Sequence, residues 1–440
     1  DVMDAAQAQG KLTYSYSTTA TFGRFIHTIN GHAVNAPDGW MFTINDALSN
    51  VSASTASVKD GDRVLWFEGT TENQFQGPLW AELDGSTIQW ETISTVAELQ
   101  ALAASKDPAV LAKNYKLARD LDLSGVTFSG IGSASAPFTG MFDGQGHTVS
   151  YVTVKGGDNA GFFNVTLGAV IKNLHLSDVN VTGGSRVGGL VGWAQAELDR
   201  QDMAGSKAGL VGSCTVSGTV SGSRAVGGLV GLNEGLSDQE TMFSVASAVD
   251  KCTAAVSVSG KEKVGGLAGE NSGSITKSAA QGSATAPDGV MVGGFAGDNS
   301  GGIYDSHAEG EVRGKSYAGG FVGISDGTVK NCYSLGSVAG TDYTGGFAGG
   351  ISAAENAVGA GLVSVTGTPT YGYTGGFAGR LGGTLAGLDN QITVKNVYGN
   401  CMKPDGQWKA AGNSFTGSSE QAAVEGMKLT TWQQVNDKLM

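Results

Sequence analysis

The side chains that could act on a substrate or hold a metal ion are scattered along this chain in no catalytic pattern. Its histidines form no H-E-x-x-H pair, the arrangement with which zinc peptidases hold their metal ion and place a glutamate base beside it. No G-x-S-x-G motif stands in the strand-to-helix setting that exposes a nucleophilic serine. The histidines are His27, His32, His147, His175 and His307.

Asp120 and Asp122 are the best candidates for a catalytic carboxylate pair, because residues two apart on a strand point to the same side. Polysaccharide cleavage on a β-helix needs clustered carboxylates, or a basic residue beside calcium ligands, on one outer face. No acidic column continues the pair, so we interpret it as the polar end of a strand and His147 as a turn residue. We predict that the chain is not an enzyme and has no catalytic, cofactor-binding or metal-binding residues.

The cysteines indicate a structural role. Cys214, Cys252 and Cys332 each precede the first glycine of a repeat by 13 residues, and Cys401 falls in the last coil. No C-x-x-C motif of a metal or redox site is present. A Cys214–Cys252 disulfide is possible in distance, but stacked parallel side chains point the same way and seldom reach bridging geometry. We predict buried free thiols.

The elements that would position these side chains follow from a repeat of six residues: a small or β-branched residue, two glycines, Leu or Phe, Val or Ala, and a third glycine. It occurs seven times, first at Val187–Gly192 and last at Thr374–Gly379, in steps of 26 to 39 residues. Alternating runs such as Thr148–Val154 are typical of half-buried strands. Since such units bury their apolar faces only by stacking, the pattern predicts an all-β solenoid, a parallel β-helix of roughly ten coils.

The repeat also indicates which side chains face the interior. The residue after the two glycines is always Leu or Phe, and we expect these side chains to form a ladder with a spacing of about 4.8 Å. The residue after the third glycine varies in type, as expected of a column that faces solvent. We expect the glycines to take positive φ and to let the coils approach closely. The inner column is Leu190, Leu229, Leu267, Phe295, Phe321, Phe347 and Phe377, and the outer one Trp193, Leu232, Glu270, Asp298, Ile324, Gly350 and Arg380.

Two further features lie between the repeats. Asn233, Asn271 and Asn299 follow the third glycine closely, and we expect them in left-handed turns. The longer steps place insertions at 194–209, 235–249 and 353–363. Insertions in a solenoid form loops on one side, so these are candidate contact surfaces.

Composition and charge exclude several classes of protein. With 71 Gly, 7 Pro, 40% hydrophobic and 15% charged residues, the chain can fill a long ordered core. Its net charge of −13 offers no basic face for phosphates, so nucleic acid is not an expected partner. There is no apolar run long enough for a membrane span and no signal peptide. Because the chain begins at Asp1, we interpret it as a segment of a larger exported protein.

The repeat resembles the GLUG motif of bacterial cell-surface proteins. Phe138–His147 looks like the opening coils that accompany this motif in right-handed parallel β-helices, and Asn159–Phe163 is similar to a degenerate first unit. The resemblance covers about residues 110–400 and implies a surface-exposed, adhesin-like architecture without naming a ligand. GLUG-like segments also occur beside metallopeptidase domains of the immunoglobulin-cleaving type, whose catalytic part would lie outside this chain.

The N-terminal part carries a second resemblance. Phe25–His32, Gly39–Asn45 and Lys59–Phe67 look like a small β-rich, β-grasp-like module similar to the C-terminal domain of transcobalamin, which is common in exported bacterial proteins. Its helix would be Val2–Ala8. The resemblance does not establish cobalamin binding, because the aromatic residues of such modules more often fill the core.

We therefore predict four parts. They are the β-rich module in 1–93, a capping helix and linker in 94–114, the β-helix in 115–400 and a C-terminal cap in 401–440. The helix begins with the capping box Thr95–Glu98.

The predicted function is that of a non-catalytic, secreted or cell-surface bacterial protein, a stalk or adhesin-like binding module. We expect a monomer whose partner is a surface protein or glycan of a host or neighbouring cell. The alternatives are a polysaccharide-binding or polysaccharide-cleaving β-helix and the non-catalytic region of a larger surface peptidase.

Overall fold

The computed structural model describes residues 13–19, 23–29, 32–33, 39–44, 47–48, 64–69, 89–198, 206–238, 243–368, 370, 373–381 and 393–399. The predicted N-terminal helix, Cys401 and the predicted cap lie outside the described residues. The chain divides into two compact units, one of 1–85, 196–208 and 236–246 and the other of 86–195, 209–235 and 247–440. The second unit thus begins before the predicted boundary at residue 93.

Up to residue 69, the first unit contains two small antiparallel sheets, in keeping with the β-rich module predicted for this part, and a further two-stranded sheet is formed by Gly235–Asp238 and Phe243–Ala246. One sheet has the order β1-β2-β3 and the other β5-β4-β6. The strands are β1 (Tyr14–Thr19), β2 (Gly23–Ile29), β3 (His32–Ala33), β4 (Gly39–Ile44), β5 (Ala47–Leu48) and β6 (Val64–Gly69).

The second unit is a parallel β-helix. Each strand pairs in parallel with the strand one coil further along the chain, which produces a sheet of 28 strands and a second sheet of 8 strands. The eight-stranded sheet has the order β13-β17-β21-β27-β31-β35-β39-β43. From β7 onward the elements are β7 (Trp90–Ile93), α1 (Val96–Ala104), α2 (Pro108–Leu111), β8 (Asn114–Leu117), β9 (Leu121–Asp122), β10 (Met141–Asp143), β11 (Thr148–Ser150), β12 (Thr153–Lys155), β13 (Phe163–Leu167), β14 (Val170–Lys172), β15 (His175–Thr182), β16 (Ser185–Gly188), β17 (Val191–Gln195), β18 (Leu210–Gly212), β19 (Thr215–Ser221), β20 (Arg224–Gly227), β21 (Val230–Asn233), β22 (Gly235–Asp238), β23 (Phe243–Ala246), β24 (Ala248–Asp250), β25 (Thr253–Ser259), β26 (Glu262–Gly265), β27 (Ala268–Asn271), β28 (Ser274–Thr276), β29 (Ala279–Ala280), β30 (Ala284–Gly293), β31 (Ala296–Asn299), β32 (Gly302–Tyr304), β33 (His307–Ala308), β34 (Val312–Gly319), β35 (Val322–Ser325), β36 (Thr328–Ser334), β37 (Val338–Gly340), β38 (Asp342–Gly345), β39 (Ala348–Ile351), β40 (Ala353–Gly359), β41 (Val363–Val365), β42 (Thr374–Gly375), β43 (Ala378–Leu381) and β44 (Thr393–Gly399).

Helix α1 begins at the predicted capping box. The Glu98 amide donates to Thr95 Oγ1 over 3.3 Å, and the Thr95 amide donates to Glu98 Oε2 over 2.9 Å. Leu99 and Leu102 are buried and belong to the same apolar core as the solenoid strands. Strand β7 precedes the helix and pairs in parallel with β8, so α1 connects two strands of the solenoid.

The interior ladder of Leu and Phe is confirmed. All seven side chains after the double glycines are fully buried, from Leu190 to Phe377. In the later coils the rings stack face to face, with centroids 4.7 Å apart for Phe295 and Phe321 and 4.9 Å apart for Phe321 and Phe347. The coils are in register at the repeat itself, since Val187 pairs with Val226 and Val226 with Val264.

The repeat glycines are required for close approach, but the expectation of positive φ was wrong for them. None of the described repeat glycines lies in the left-handed region, which is occupied by the residue before six of the seven repeats, for example Lys263 at φ +53° and Tyr317 at +53°. A Cβ on Gly323, the third glycine of its repeat, would lie 2.5 Å from the Met291 carbonyl carbon of the preceding coil. A Cβ on Gly189, the second glycine, would lie 2.4 Å from the Gly228 oxygen of the following coil.

The prediction of left-handed turns at Asn233, Asn271 and Asn299 was also wrong. These residues end strands β21, β27 and β31, and their side chains are fully buried. Asn233 Nδ2 donates to Asn271 Oδ1 over 2.8 Å, and Asn271 Nδ2 donates to Asn299 Oδ1 over 2.7 Å. The asparagines therefore form an amide ladder inside the solenoid, because a buried carboxamide needs partners that only the neighbouring coils supply.

Two of the three predicted insertions leave the solenoid, and the third does not. Residues 196–208 and 236–246 belong to the first unit, where Ala196 and Val245 pack with Leu198, Ala208 and Leu236 in a small apolar cluster. Residues 353–359 instead form β40, which pairs in register with β36 and β44. The extra length of that coil lies between Val365, which pairs with Gly340, and Thr374, which pairs with Thr344.

Candidate binding surfaces

The carboxylates considered for catalysis hold turns of the first coils. Asp120 Oδ1 accepts the Thr148 amide over 2.9 Å and lies 3.2 Å from His147 Nδ1. Asp122 Oδ1 accepts the Ser124 amide over 2.7 Å. These hydrogen bonds, first those from the backbone amides of Thr148 and Ser124, lower the pKa of both carboxyl groups. Both side chains are exposed.

The other two histidines whose side chains the structure describes, His175 and His307, lie on the outside of the coils and contact side chains of neighbouring strands. His175 Nδ1 is 2.7 Å from Thr215 Oγ1. The His307 ring stacks on the Tyr333 ring of the next coil at 4.8 Å, with Glu309 Oε1 3.4 Å from Nε2. Burial lowers the pKa of His307, which Glu309 offsets only in part. Side chains of His27 and His32 lie outside the described residues.

Three cysteines are buried free thiols, as predicted. They share an interior column with Ser278 and Ser306, in which every side chain after Cys214 accepts a backbone amide of the preceding coil. The Cys214 amide donates to Cys252 Sγ over 3.4 Å, and the Cys252 amide donates to Ser278 Oγ over 3.1 Å. Burial raises the pKa of Cys252 and of Cys332, so these thiols stay protonated.

Residues 323–327 read G-x-S-x-G, but the serine is not positioned for catalysis. Ser325 is fully buried at the end of β35. Its hydroxyl donates to the Gly327 carbonyl and accepts from Asn299 Nδ2 over 2.9 Å, which ends the amide ladder. The strand leads into another strand, whereas the nucleophilic serine of this motif stands between a strand and a helix.

The column after the third glycine was expected to face solvent, but none of its seven residues is exposed, and Ile324 and Gly350 are buried. In some coils the residue that precedes the repeat covers it. The Arg186 guanidinium lies 4.7 Å from the centre of the Trp193 ring. Lys263 Nζ bridges Glu270 Oε1 at 2.9 Å and Asp298 Oδ2 at 2.7 Å across two coils, and all three side chains are mostly buried. Left-handed φ at the preceding residue lays its side chain over the outer column, a pairing that the sequence does not reveal.

The same outer surface carries a row of tyrosines in its last coils. Tyr317 and Tyr343 stack at 4.5 Å and an angle of 9°, and Tyr373 follows Tyr343 at 5.3 Å. Arg380 Nη1 donates to Tyr317 Oη over 3.3 Å.

A second outer surface is neutral and rich in hydroxyl groups. Thr182 pairs with Ser221, Ser221 with Ser259, and Ser259 with Thr285, so four consecutive coils contribute one column. Thr219 and Ser257 form a second column two residues away. We call these six residues the hydroxyl strip. Four of them, Thr182, Thr219, Ser257 and Ser259, are exposed, and none was singled out by the sequence patterns.

Within the described ranges, no three His, Cys, Asp or Glu side chains come together as a metal site would require. Helices of the described part of the chain are all too short or too polar to cross a membrane.

Three comparisons with known proteins each match part of the chain. Residues 1–67 match a family described as a domain of unknown function, DUF4430. Halomucin from Haloquadratum walsbyi is 32% identical over 213 residues, which cover 43% of this chain and 2% of halomucin. The chain thus spans about one fiftieth of that curated relative. A crystal structure of a Bacteroides ovatus protein, titled a putative immunoglobulin A1 protease, has a TM-score of 0.42 and 20% identity over 66% of this chain and 84% of that one.

Proposed function

We propose that this chain is a non-catalytic, adhesin-like binding region of an exported surface protein, in which a GLUG-type solenoid displays variable outer side chains on a rigid stalk. The main support for the proposal is that the constant positions of the repeat pack the interior, whereas the variable positions lie on the outer side. The recurring glycines and Leu or Phe residues are buried, and a Cβ on Gly189 or Gly323 would collide with a neighbouring coil. The residues after the third glycine differ in type from coil to coil, and five of the seven are half-buried, so part of each of these side chains is accessible to a partner.

The carboxylates support a non-catalytic role. A glycoside hydrolase needs one carboxyl group with a raised pKa as its acid and a second carboxylate facing it. Asp120 and Asp122 both have lowered pKa values because they accept backbone amides, so both are ionised at neutral pH. Hydrogen bonds to Thr148 and Ser124 explain their positions without a substrate.

The similarity to halomucin, which covers 43% of this chain and whose name denotes a mucin, also supports display outside the cell. We propose that the partner is a glycan or protein on a host or neighbouring cell.

The test is to incubate the purified chain with immobilised cells, matrix proteins and polysaccharides, and to measure retention and hydrolysis with and without EDTA. We expect retention on at least one surface, no hydrolysis and no change of melting temperature with EDTA. Turnover that disappears in Asp120→Asn or Asp122→Asn, or a large loss of stability with EDTA, would overturn the proposal. Absence of retention on every surface would also do so.

A further inference from the structure

We infer that the hydroxyl strip is a binding site for an uncharged, extended polysaccharide lying along the solenoid axis. This inference rests on the proposed function and names the class of partner. The six side chains of the strip are regularly spaced, because they come from strands β15, β19, β25 and β30 in direct register. With coils about 4.8 Å apart, the column from Thr182 to Thr285 extends about 14 Å.

The strip residues are held in place by buried neighbours on the same strands. Val181, Val220 and Val258 alternate with the strip residues and are almost completely buried, which fixes the outward direction of their neighbours. Residues fixed on strands lose little further freedom when a ligand binds, so weak contacts can add along the row.

The chemistry of the strip matches sugar hydroxyls. Each Ser or Thr hydroxyl can donate one hydrogen bond and accept others, as a sugar hydroxyl does. The Ser257 and Ser259 hydroxyls have no hydrogen-bond partner among the described residues, whereas Thr182 Oγ1 and Ser221 Oγ lie 3.1 Å apart. The strip therefore offers both free hydroxyls and a bonded pair at the spacing of the coils.

Charge selects against other ligands. The longer column is bounded by Lys155, which pairs with Thr182, and by Arg313, which pairs with Thr285, and no charged residue stands between them. Arg313 is itself paired with Glu311 at 2.9 Å. With a net charge of −13 the chain repels polyanions, and a strip without cations cannot neutralise phosphates. It also lacks the aromatic and Arg anchors that mark most protein interfaces.

The test is affinity electrophoresis of the full 440-residue chain through gels that contain mannan, soluble β-glucan or, as polyanion, alginate. The test variant is Thr219→Ala/Ser257→Ala/Ser259→Ala. The matched control, Thr253→Ala/Thr328→Ala, removes strand hydroxyls elsewhere on the solenoid. A second test variant, Ser259→Arg, places in the column a side chain that the column already accepts at Arg313.

We expect retardation by an uncharged polysaccharide, about tenfold or more weaker binding for the triple variant and for Ser259→Arg, and no change for the control. Unchanged binding in both test variants, or retardation by alginate alone, would show that the hydroxyl strip is not the binding site. Either result would leave the proposed surface function intact. If the unmodified chain bound none of these polysaccharides but was retained on cells or matrix proteins, the assignment of the strip as a polysaccharide site would be wrong, and the proposed surface function would remain. Retention on no surface at all would remove both.

Discussion

Asn233 and Asn271 share a carboxamide hydrogen bond of 2.8 Å in the interior of the solenoid, and the other end of the Asn233 amide is unsatisfied. Asn233 Oδ1 is buried and has no hydrogen-bond partner among the described residues. Since Nδ2 points toward the following coil, Oδ1 points toward the preceding coil, where Ala194 is the register partner of Asn233. The first acceptor of the amide ladder, Asn233 Oδ1, therefore lacks a donor because the preceding coil has Ala194 at this position.

The first prediction is that Ala194→Asn extends the ladder. Its carboxamide would donate to Asn233 Oδ1, and we expect a gain of about 1 kcal/mol in the free energy of unfolding, measured by denaturant titration. The control Ala194→Asp has nearly the same shape but brings a carboxylate toward an acceptor, so it should destabilise the protein. Equal effects of the two substitutions would contradict the assigned direction of the Asn233 amide.

The second prediction concerns the phenylalanine ladder. Phe321 is fully buried between Phe295 and Phe347, so Phe321→Asp would place a charge where no partner exists and should cost several kcal/mol, about 4 or more. Phe321→Leu is the matched control, because Leu fills this column in the earlier coils, as at Leu267. We expect it to cost about 1–2 kcal/mol. Circular dichroism during chemical unfolding measures both, and a mild effect of the Asp variant would mean that the column is open to water.

The third prediction separates steric from conformational roles of glycine. In Gly323→Ala the new Cβ would lie 2.5 Å from the carbonyl carbon of Met291 and from the oxygen of Gly297, both backbone atoms that cannot move alone. We expect a loss of about 3 kcal/mol or more. Gly157→Ala, where nothing lies within 4 Å, should change stability by less than about 0.5 kcal/mol. A harmless Gly323→Ala would show that the coils can separate at this position.

The fourth prediction concerns Lys263, whose ammonium joins Glu270 and Asp298. Lys263→Met would leave two mostly buried carboxylates facing each other, and we expect a loss of about 2 kcal/mol at pH 7. Met is chosen because Met291 occupies the same position in the next repeat. Lys251→Met, at an exposed lysine that also has positive φ, is the control and should cost less than about 0.5 kcal/mol.

The pH dependence of this cluster follows from the pKa of Lys263. Burial lowers that pKa, but the hydrogen bonds that the Lys263 ammonium donates to Asp298 and Glu270 outweigh the effect of burial, so the pKa is raised overall. A raised lysine pKa gives stability that is complete below the unfolded value of about 10.4 and is lost as pH rises through the folded value. The difference between wild type and Lys263→Met should therefore stay constant from neutral pH to about pH 10 and shrink in stronger alkali. A difference that disappears near neutrality would contradict the ion-pair assignment.

The coil architecture could be predicted because the repeat encodes it locally. Leu or Phe after each double glycine gives an apolar residue at the same point of every coil, and Leu190 to Phe377 are buried as expected. The capping box at Thr95 and Glu98 likewise depends only on residues three apart, so its two hydrogen bonds were predictable. A regular spacing of glycine and apolar residues is sufficient for this level of structure because each unit must stack to bury its face.

Side-chain direction and cross-coil partners were decided by the tertiary structure. Asn233, Asn271 and Asn299 follow a glycine, which favours a turn in isolation, yet neighbouring coils offer amide partners that favour a buried strand position. Lys263 meets Asp298, 35 positions away, only because left-handed φ before the repeat lays its side chain over the next coil. The hydroxyl strip depends on the register between coils of 26 to 40 residues, and that register is set by where the extra residues leave the solenoid. Sequence spacing alone determines that coils stack, whereas the backbone path through each turn determines which side chains then become neighbours.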